Sequence, residues 1–325
     1  MFKIDRSMKI LLVISMLLVS MCALGCTQPE TETKQYTIAT GGTAGTYYPI
    51  GGGIAQTVNN ASLGFILSVE STGASVANCR LVNDKEADFA TVQNDVAYSA
   101  INGQRDFAAG KLENLQGVAC LYPETIQVIV LKDSGIKSIG DLKGKRVVVG
   151  DKGSGSEFNA LEILAAYGLT KDDIVVDNSK LSQAAELLKN GQADAAFWTG
   201  GAPTAAISEL ATTHDIYIVP ISGEARDKLM AESPFYATET LKAGTYNNLN
   251  EDIETVSVMA MLIANKDIPA DDVYNLLKAM YDPNAPLKNA HAMASKITTE
   301  TALKGMSIPL HPGAQKYFDE KGIKA

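Results

Sequence analysis

Histidine is scarce in this sequence, with three in 325 residues, and tryptophan occurs once. His214, His291 and His311 lie far apart, none in a metal-ligand spacing and none beside a candidate nucleophile. They read as surface or capping residues, and no metal site is expected. No Gly-x-Ser-x-Gly elbow is present. Gly150 to Gly155 has the spacing of a phosphate loop, but Ser156-Glu157 stands where that loop needs Lys followed by Ser or Thr. Gly41-Gly42-Thr43-Ala44-Gly45 lacks the spacing of a dinucleotide fold. Neither a cofactor nor a catalytic reaction is expected. Positive charge is also short, with 28 Lys and Arg against 37 Asp and Glu and a formal net charge of −9. A nucleic-acid partner or a broad anionic membrane surface would need a basic face. An anionic ligand is not excluded, because a pocket can be locally positive.

Long apolar runs are missing except at the start. Lys3, Arg6 and Lys9 precede the apolar run Ile10 to Ala23, the pattern of an export signal. The run is short for a membrane span, which needs about 20 residues. Ala23-Leu24-Gly25-Cys26 resembles a lipobox, in which Cys26 is lipidated and becomes the first mature residue, although Leu24 stands two places before the cysteine where three is usual. Ordinary signal cleavage and an uncleaved anchor are the alternatives. The expected layout is a signal peptide over 1–25, a tether over 26–35 and a soluble body outside the cytoplasmic membrane, held to it only by the lipid. Loss of residues 1–25 removes Lys3, Arg6, Lys9 and Asp5 and takes the formal charge from −9 to −11. Of four cysteines, Cys22 and Cys26 fall in this leader, leaving Cys79 and Cys120. An oxidising compartment permits a disulfide between them. Each lies in a mainly apolar pattern, which favours two buried free thiols.

The body, 46% apolar over the whole chain, reads as strands alternating with helices. Tyr36–Thr40, Phe65–Val69 and Ala87–Val92 are strand-like, with helices expected near 49–59, 74–83 and 95–102. A second series has strands at Thr125–Lys132, Lys145–Val149, Ala193–Phe197 and Ile216–Val219, with helices over 157–167 and 181–190 and another from Pro203. Such alternation implies an α/β fold with mainly parallel sheets. After residue 222 the pattern turns to polar helices, with one apolar strand, Val256–Ala264, and helices at 271–280 and 288–294. The acids at 172–173 and 271–272 precede helical patterns and suit the helix dipole. The chain reads as lobe I over 36–124 and 223–325, with lobe II inserted over 125–222.

Five loops at strand-to-helix junctions carry the functional signal: 41–49, 71–75, 93–94, 151–156 and 198–201. In open parallel sheets ligands bind beyond the carboxyl ends of the strands. These loops are rich in Gly, Ser, Thr, Asn and Gln, with Tyr47, Tyr48 and Trp198 as flat aromatic surfaces. Helix starts there offer outward N–H groups and partial positive charge to a carboxylate. The plainer account is that Ser, Thr and Asn before a helix are N-caps and glycine is a turn residue. The candidate ligand contacts are Gly45, Thr46, Tyr47, Ser71, Ser75, Gln93, Asn94, Ser154, Gly155, Ser156, Trp198 and Gly200. Lys152 is the nearest loop cation, and no arginine falls within the loops.

Thr40 to Thr43, Thr46 to Pro49 with Gly51-Gly52, Ser71 to Asn78 and Ala90 to Asp95 together resemble the TAXI family of extracytoplasmic solute receptors that serve TRAP transporters. Ile139 to Val147 and Gly153 to Ser156 resemble the second lobe of type II periplasmic binding proteins. The resemblance runs from about Tyr36 to Gly322. It implies a two-lobed Venus flytrap with an interlobe cleft, hinge closure over a small carboxylate, glutamate-like or a dicarboxylate, and delivery to a TRAP membrane permease. Ala74 departs from the pattern, where a second glycine is frequent. A receptor for an ATP-driven importer is the rival within the same fold. A binding-protein-like sensor domain or enzyme is the rival outside it.

Overall fold

The computed structural model describes residues 33–324; the expected export signal and Cys26 with most of the expected tether lie outside the described residues. The first series of alternating segments becomes β1 (Lys34–Ala39), α1 (Tyr47–Asn60), β2 (Phe65–Glu70), α2 (Ser75–Asn83), β3 (Phe89–Gln93) and α3 (Asn94–Asn102). Next comes β4 (Leu115–Leu131), a strand of 17 residues. The second series is β5 (Arg146–Val148), α4 (Gly155–Ala166), β6 (Val175–Asp177), α5 (Leu181–Lys189), β7 (Ala195–Gly200), α6 (Ala205–Thr213) and β8 (Ile216–Ile218). The chain ends with α7 (Gly223–Glu232), β9 (Ala237–Leu241), β10 (Ile253–Asn265), α8 (Ala270–Met280) and α9 (Pro312–Lys321).

The strands form one sheet in the order β2-β1-β3-β10-β4-β7-β5-β6, with β8 also on β4 and β9 on β10. Pairing is parallel for β1–β3, β5–β7 and β5–β6. It is antiparallel wherever β4 or β10 takes part. The sheet is therefore mixed. Parallel pairing holds inside each series, and the two long strands that carry the chain out and back run against their neighbours.

Those two strands belong to both halves of the molecule. Val118 and Leu121 of β4 pack with β1, α1 and α8 in one apolar cluster, while Ile126, Val128 and Val130 pack with β5, β7 and α4 in another. In β10, Val256 and Val258 join the far cluster, and Leu262 and Ala264 the near one. The crossing lies where Met259 pairs with Pro123, next to an irregularity in the ladder between Met259 and Met261. Proline has no N–H to give the ladder, so it is tolerated at such a break. Pro123 and Gly117 also explain why Leu115–Glu124 does not read as strand from sequence.

Several expected boundaries move. Leu229 and Tyr236 pack in one far-half cluster, and Tyr246, Leu249 and Ile253 in another. The chain thus stays with the far half until β10 and does not return at residue 223. Only Leu229 of α7 is buried, so the sequence there carries too little apolar periodicity to show its partner. The helix expected from Pro203 begins at Ala205 with Thr204 as N-cap. The helix expected over 288–294 is two short 3-10 turns, Pro286–Asn289 and Ala292–Lys296. His291 and His311 are caps, each ring accepting a backbone N–H two residues on. Cys79 and Cys120 are free and buried in one apolar cluster. Among the described residues, no helix is long and apolar enough to cross a membrane.

Candidate functional site

The loops are fixed by their own short polar side chains. Asn78, buried at the start of α2, donates through Nδ2 to the Thr40 carbonyl at 2.6 Å and to the Thr91 carbonyl at 2.8 Å. Thr72 donates to the Thr40 carbonyl at 2.9 Å, and Ser71 to the Gly41 carbonyl at 3.0 Å. These bonds hold the loops after β1 and β2 together at the rim of a cavity of about 140 Å³ between the two halves.

Eleven of the twelve candidate residues line that cavity. Gly45, Thr46 and Tyr47 from the first loop, Ser71 and Ser75 from the second, and Gln93 at the end of β3 form the near wall. Ser154, Gly155 and Ser156 with Trp198 and Gly200 form the far wall. Asn94 is not among them, a correction to the expectation. Its Nδ2 donates to the Gly305 carbonyl at 3.1 Å and its Oδ1 accepts the Met259 N–H at 3.1 Å. One residue past Gln93 the chain enters α3, so the side chain points back to the packed base. Lys152 is exposed and outside the cavity, whereas Lys180 lines it. Asp151 and Thr199, from two of the five loops, also line it, as does Glu124, which was missed because it lies inside a long strand that the sequence hides.

The two walls touch. The carbonyl of Gly153 accepts the N–H groups of Val76 at 3.1 Å and Ala77 at 3.3 Å. The start of α2 is thus used by the opposite half and is not open to an anion, contrary to the expectation for that loop. A Cβ on Gly155 would collide with the Gln93 side chain, and one on Gly45 would sit 3.2 Å from the Trp198 ring. Farther back, Asn159 of α4 donates to Asp95 of α3 at 2.7 Å and to the Tyr236 hydroxyl at 2.9 Å. Tyr236 donates to Glu162 at 2.7 Å, and Glu162 pairs with Arg105 from the near half. The Arg105 guanidinium lies over the Phe158 ring at 4.8 Å. This is a closed arrangement of the halves.

Capping accounts for part of the polar wall. Ser154 is the N-cap of α4 and accepts the Glu157 N–H at 3.1 Å. Thr46 and Gln93 precede α1 and α3, yet neither side chain caps. Thr46 Oγ1, Gln93 Oε1 and Trp198 Nε1 are buried without a hydrogen-bond partner among the described residues. An unpaired buried polar atom costs about 1–3 kcal/mol, and these three belong to side chains on both walls of the cavity. The N–H groups of Tyr47 and Gly155, at the starts of α1 and α4, also have no described acceptor.

Two acids sit behind this wall. Glu124 is 2% exposed and accepts the Tyr47 hydroxyl at 2.7 Å. Burial, offset in part by that bond, pushes its carboxyl up to about 8. Burial and the nearby Glu162 push Asp95 up to about 7. Among the described residues, no group of three or more His, Cys, Asp or Glu is arranged to hold a metal ion.

The profile of one protein family matches residues 38–322, nearly the whole described chain. The chain belongs to the NMT1-like family. The match does not distinguish the TAXI receptors that the loops resemble. The fold of this NMT1-like protein recurs in solved structures. One from Bordetella bronchiseptica RB50 is 16% identical, with a TM-score of 0.54 over 90% of this chain and 99% of its own. A putative L-cystine ABC transporter from Listeria monocytogenes is 14% identical, with a TM-score of 0.50 over 82% and 98%. A binding protein component of an ABC phosphonate transporter from Pseudomonas aeruginosa is 14% identical, with a TM-score of 0.50 over 81% and 79%. At such identities the likeness is one of fold, the α/β architecture of periplasmic binding proteins.

Two stability predictions follow from the NMT1-like site. Glu124 and Asp95 keep protons in the folded protein that the unfolded chain releases from about pH 4 upward. Their contribution to stability is therefore present at low pH and lost as pH rises through about 7 to 8. The urea midpoint of the ligand-free protein should fall across that window, and Asp95→Asn should flatten the slope. Ala74 has φ 66° and ψ −148°, a conformation that glycine adopts freely and that costs other residues about 1–3 kcal/mol. Ala74→Gly should raise stability by about 1 kcal/mol after the added freedom of the unfolded chain is subtracted, read as a higher urea midpoint at constant slope.

Proposed function

We propose that this protein is an extracytoplasmic solute-binding receptor of a membrane transporter, closing its two halves over a small ligand that carries a carboxylate. The observation that supports this reading most is the set of three buried, unpartnered polar atoms, Thr46 Oγ1, Gln93 Oε1 and Trp198 Nε1, carried by side chains from both halves that line one cavity. A ligand that pairs with them gains contacts available only when the halves meet, which favours the closed state. The carboxylate would lie against the N–H groups that start α1 and α4, with the Trp198 N–H as a further donor. Lys180 is the one cation on the wall among the described residues. Binding without chemical conversion is the corresponding role. A lipid on Cys26 would hold the receptor at the outer face of the membrane.

Two membrane partners have support. The solved relatives whose descriptions name a transporter are ABC components, which favours an ATP-driven importer. The loops at 40–52 and 71–78 favour an ion-driven TRAP permease instead. Uptake of the ligand in energised vesicles separates them, since one requires ATP and the other an ion gradient.

The receptor reading predicts opposite changes in affinity and stability. A thermal-shift panel of amino acids and dicarboxylates should yield a ligand that stabilises the protein by about 2.7 kcal/mol at 100 times its Kd. Trp198→Phe and Thr46→Val each remove one unpaired polar atom while keeping most of the side-chain volume. Both should leave the ligand-free protein as stable or more stable and weaken the ligand several-fold by calorimetry. A panel without any stabilising acid would reject the ligand class, and unchanged affinity would remove that residue from the site.

A further inference from the structure

Glu124 has no role in the carboxylate-binding scheme above, and its surroundings assign it one. It follows Pro123 at the point where β4 passes from one half to the other, and it lines the cavity while being almost wholly buried. One of its oxygens accepts the Tyr47 hydroxyl at 2.7 Å. No described residue donates to the other, and no lysine, arginine or histidine among the described residues pairs with it. The groups that face it are neutral or acidic: Tyr47 and Ser75 from the near wall, Tyr122 on its own strand, and Asp95 on α3. Across the cavity stand Asp151 and Lys180. A buried carboxyl in such a place needs either its own proton or a cation brought by the ligand.

We propose that Glu124 is the specificity-determining residue of the cleft, receiving the ammonium group of an amine-bearing acid and giving up its proton to solvent when that group binds. The proposal rests on the receptor reading and narrows it. The step balances: a neutral carboxyl and an R–NH₃⁺ ligand become a carboxylate paired with R–NH₃⁺, and one proton leaves. The ligand-free state supplies that proton at pH 7, because burial holds Glu124 protonated up to about 8. Tyr47 continues to donate to the ionised carboxylate, and Asp95, kept mostly neutral by its own burial at lower pH, adds little repulsion there. The polar ends of the ligand are thereby divided: its carboxylate goes to the helix starts and Trp198, its amine to Glu124. A dicarboxylate without an amine would instead meet a carboxyl that must stay protonated, so its binding would take up a proton above about pH 8 rather than release one below it.

The test is titration calorimetry of the mature protein at pH 6.5 in phosphate and in Tris, whose ionisation enthalpies differ. The probes are the L-amino acids and their amine-free counterparts, such as L-glutamate and glutarate. The expected result is that an amino acid binds, that its counterpart without the amine binds at least 10-fold more weakly, and that the buffer dependence gives release of close to one proton. Glu124→Gln keeps the shape and the Tyr47 bond. It should abolish the proton release and weaken the amino acid by about 10- to 100-fold, the loss of one charge-assisted hydrogen bond. Tighter binding of the amine-free acid, or proton uptake or no proton exchange with the amino acid, overturns the proposal while leaving the receptor reading intact. If Glu124→Gln does not fold, the sign of proton exchange in the unaltered protein decides. If no probe of either kind binds, the carboxylate-receptor reading falls and the proposal with it.

Discussion

The antiparallel ladder between β4 and β10 is the constraint on which the rest of the molecule depends. Each strand contributes apolar residues to both halves, so neither half has a core independent of the crossing. The register places Pro123 opposite Met259, and the next residue is Glu124. A buried acid is expensive to hold in a flexible segment, because any motion that left it without a partner would expose the cost of its burial. Set in a doubly paired strand, it is fixed relative to Tyr47 and to both walls of the cavity.

The cavity walls use their polar atoms unequally. On the near side, hydroxyls and amides mostly bind the protein itself: Ser71, Thr72 and Asn78 fix the loops, and the start of α2 binds the carbonyl of Gly153. What remains unpaired is small, namely Thr46 and Gln93 on that side and Trp198 on the far wall. The division has a physical basis. Loops that must present a few atoms accurately need the others satisfied internally, since unsatisfied groups would otherwise draw the backbone toward alternative partners. The charge balance of the cavity also differs from that of a simple anion site. It holds one lysine against two acids, of which one is buried.

Much of the site was legible because it is built from strand-to-helix junctions, where Gly, Ser, Thr and Gln stand out locally. Eleven candidates from three loops with the helix starts that follow them and from the ends of β3 and β7 meet in one cavity. What could not be read was which of those residues serve the chain and which face the cavity. Ser154 and Thr46 look alike before a helix, yet one caps and the other does not. Asn94 and Gln93 are neighbours, yet Gln93 lines the cavity while Asn94 bonds the backbone of Gly305 and Met259. Glu124 was invisible for a different reason. Its strand is interrupted by Gly117 and Pro123, residues that local pattern assigns to turns.

The sequence by itself determined the βα alternation and the chemistry of the loop residues, because each is set by neighbours within a few positions along the chain. Only the tertiary structure decided the crossing strands, the return of the chain at β10 in place of residue 223, and the pairing of α2 with Gly153. These depend on which distant segments share a core, and α7, with a single buried leucine, carries no local record of that choice. The acid at the heart of the cavity belongs to the second group. Its position is local to no motif and follows from two long strands meeting in one register.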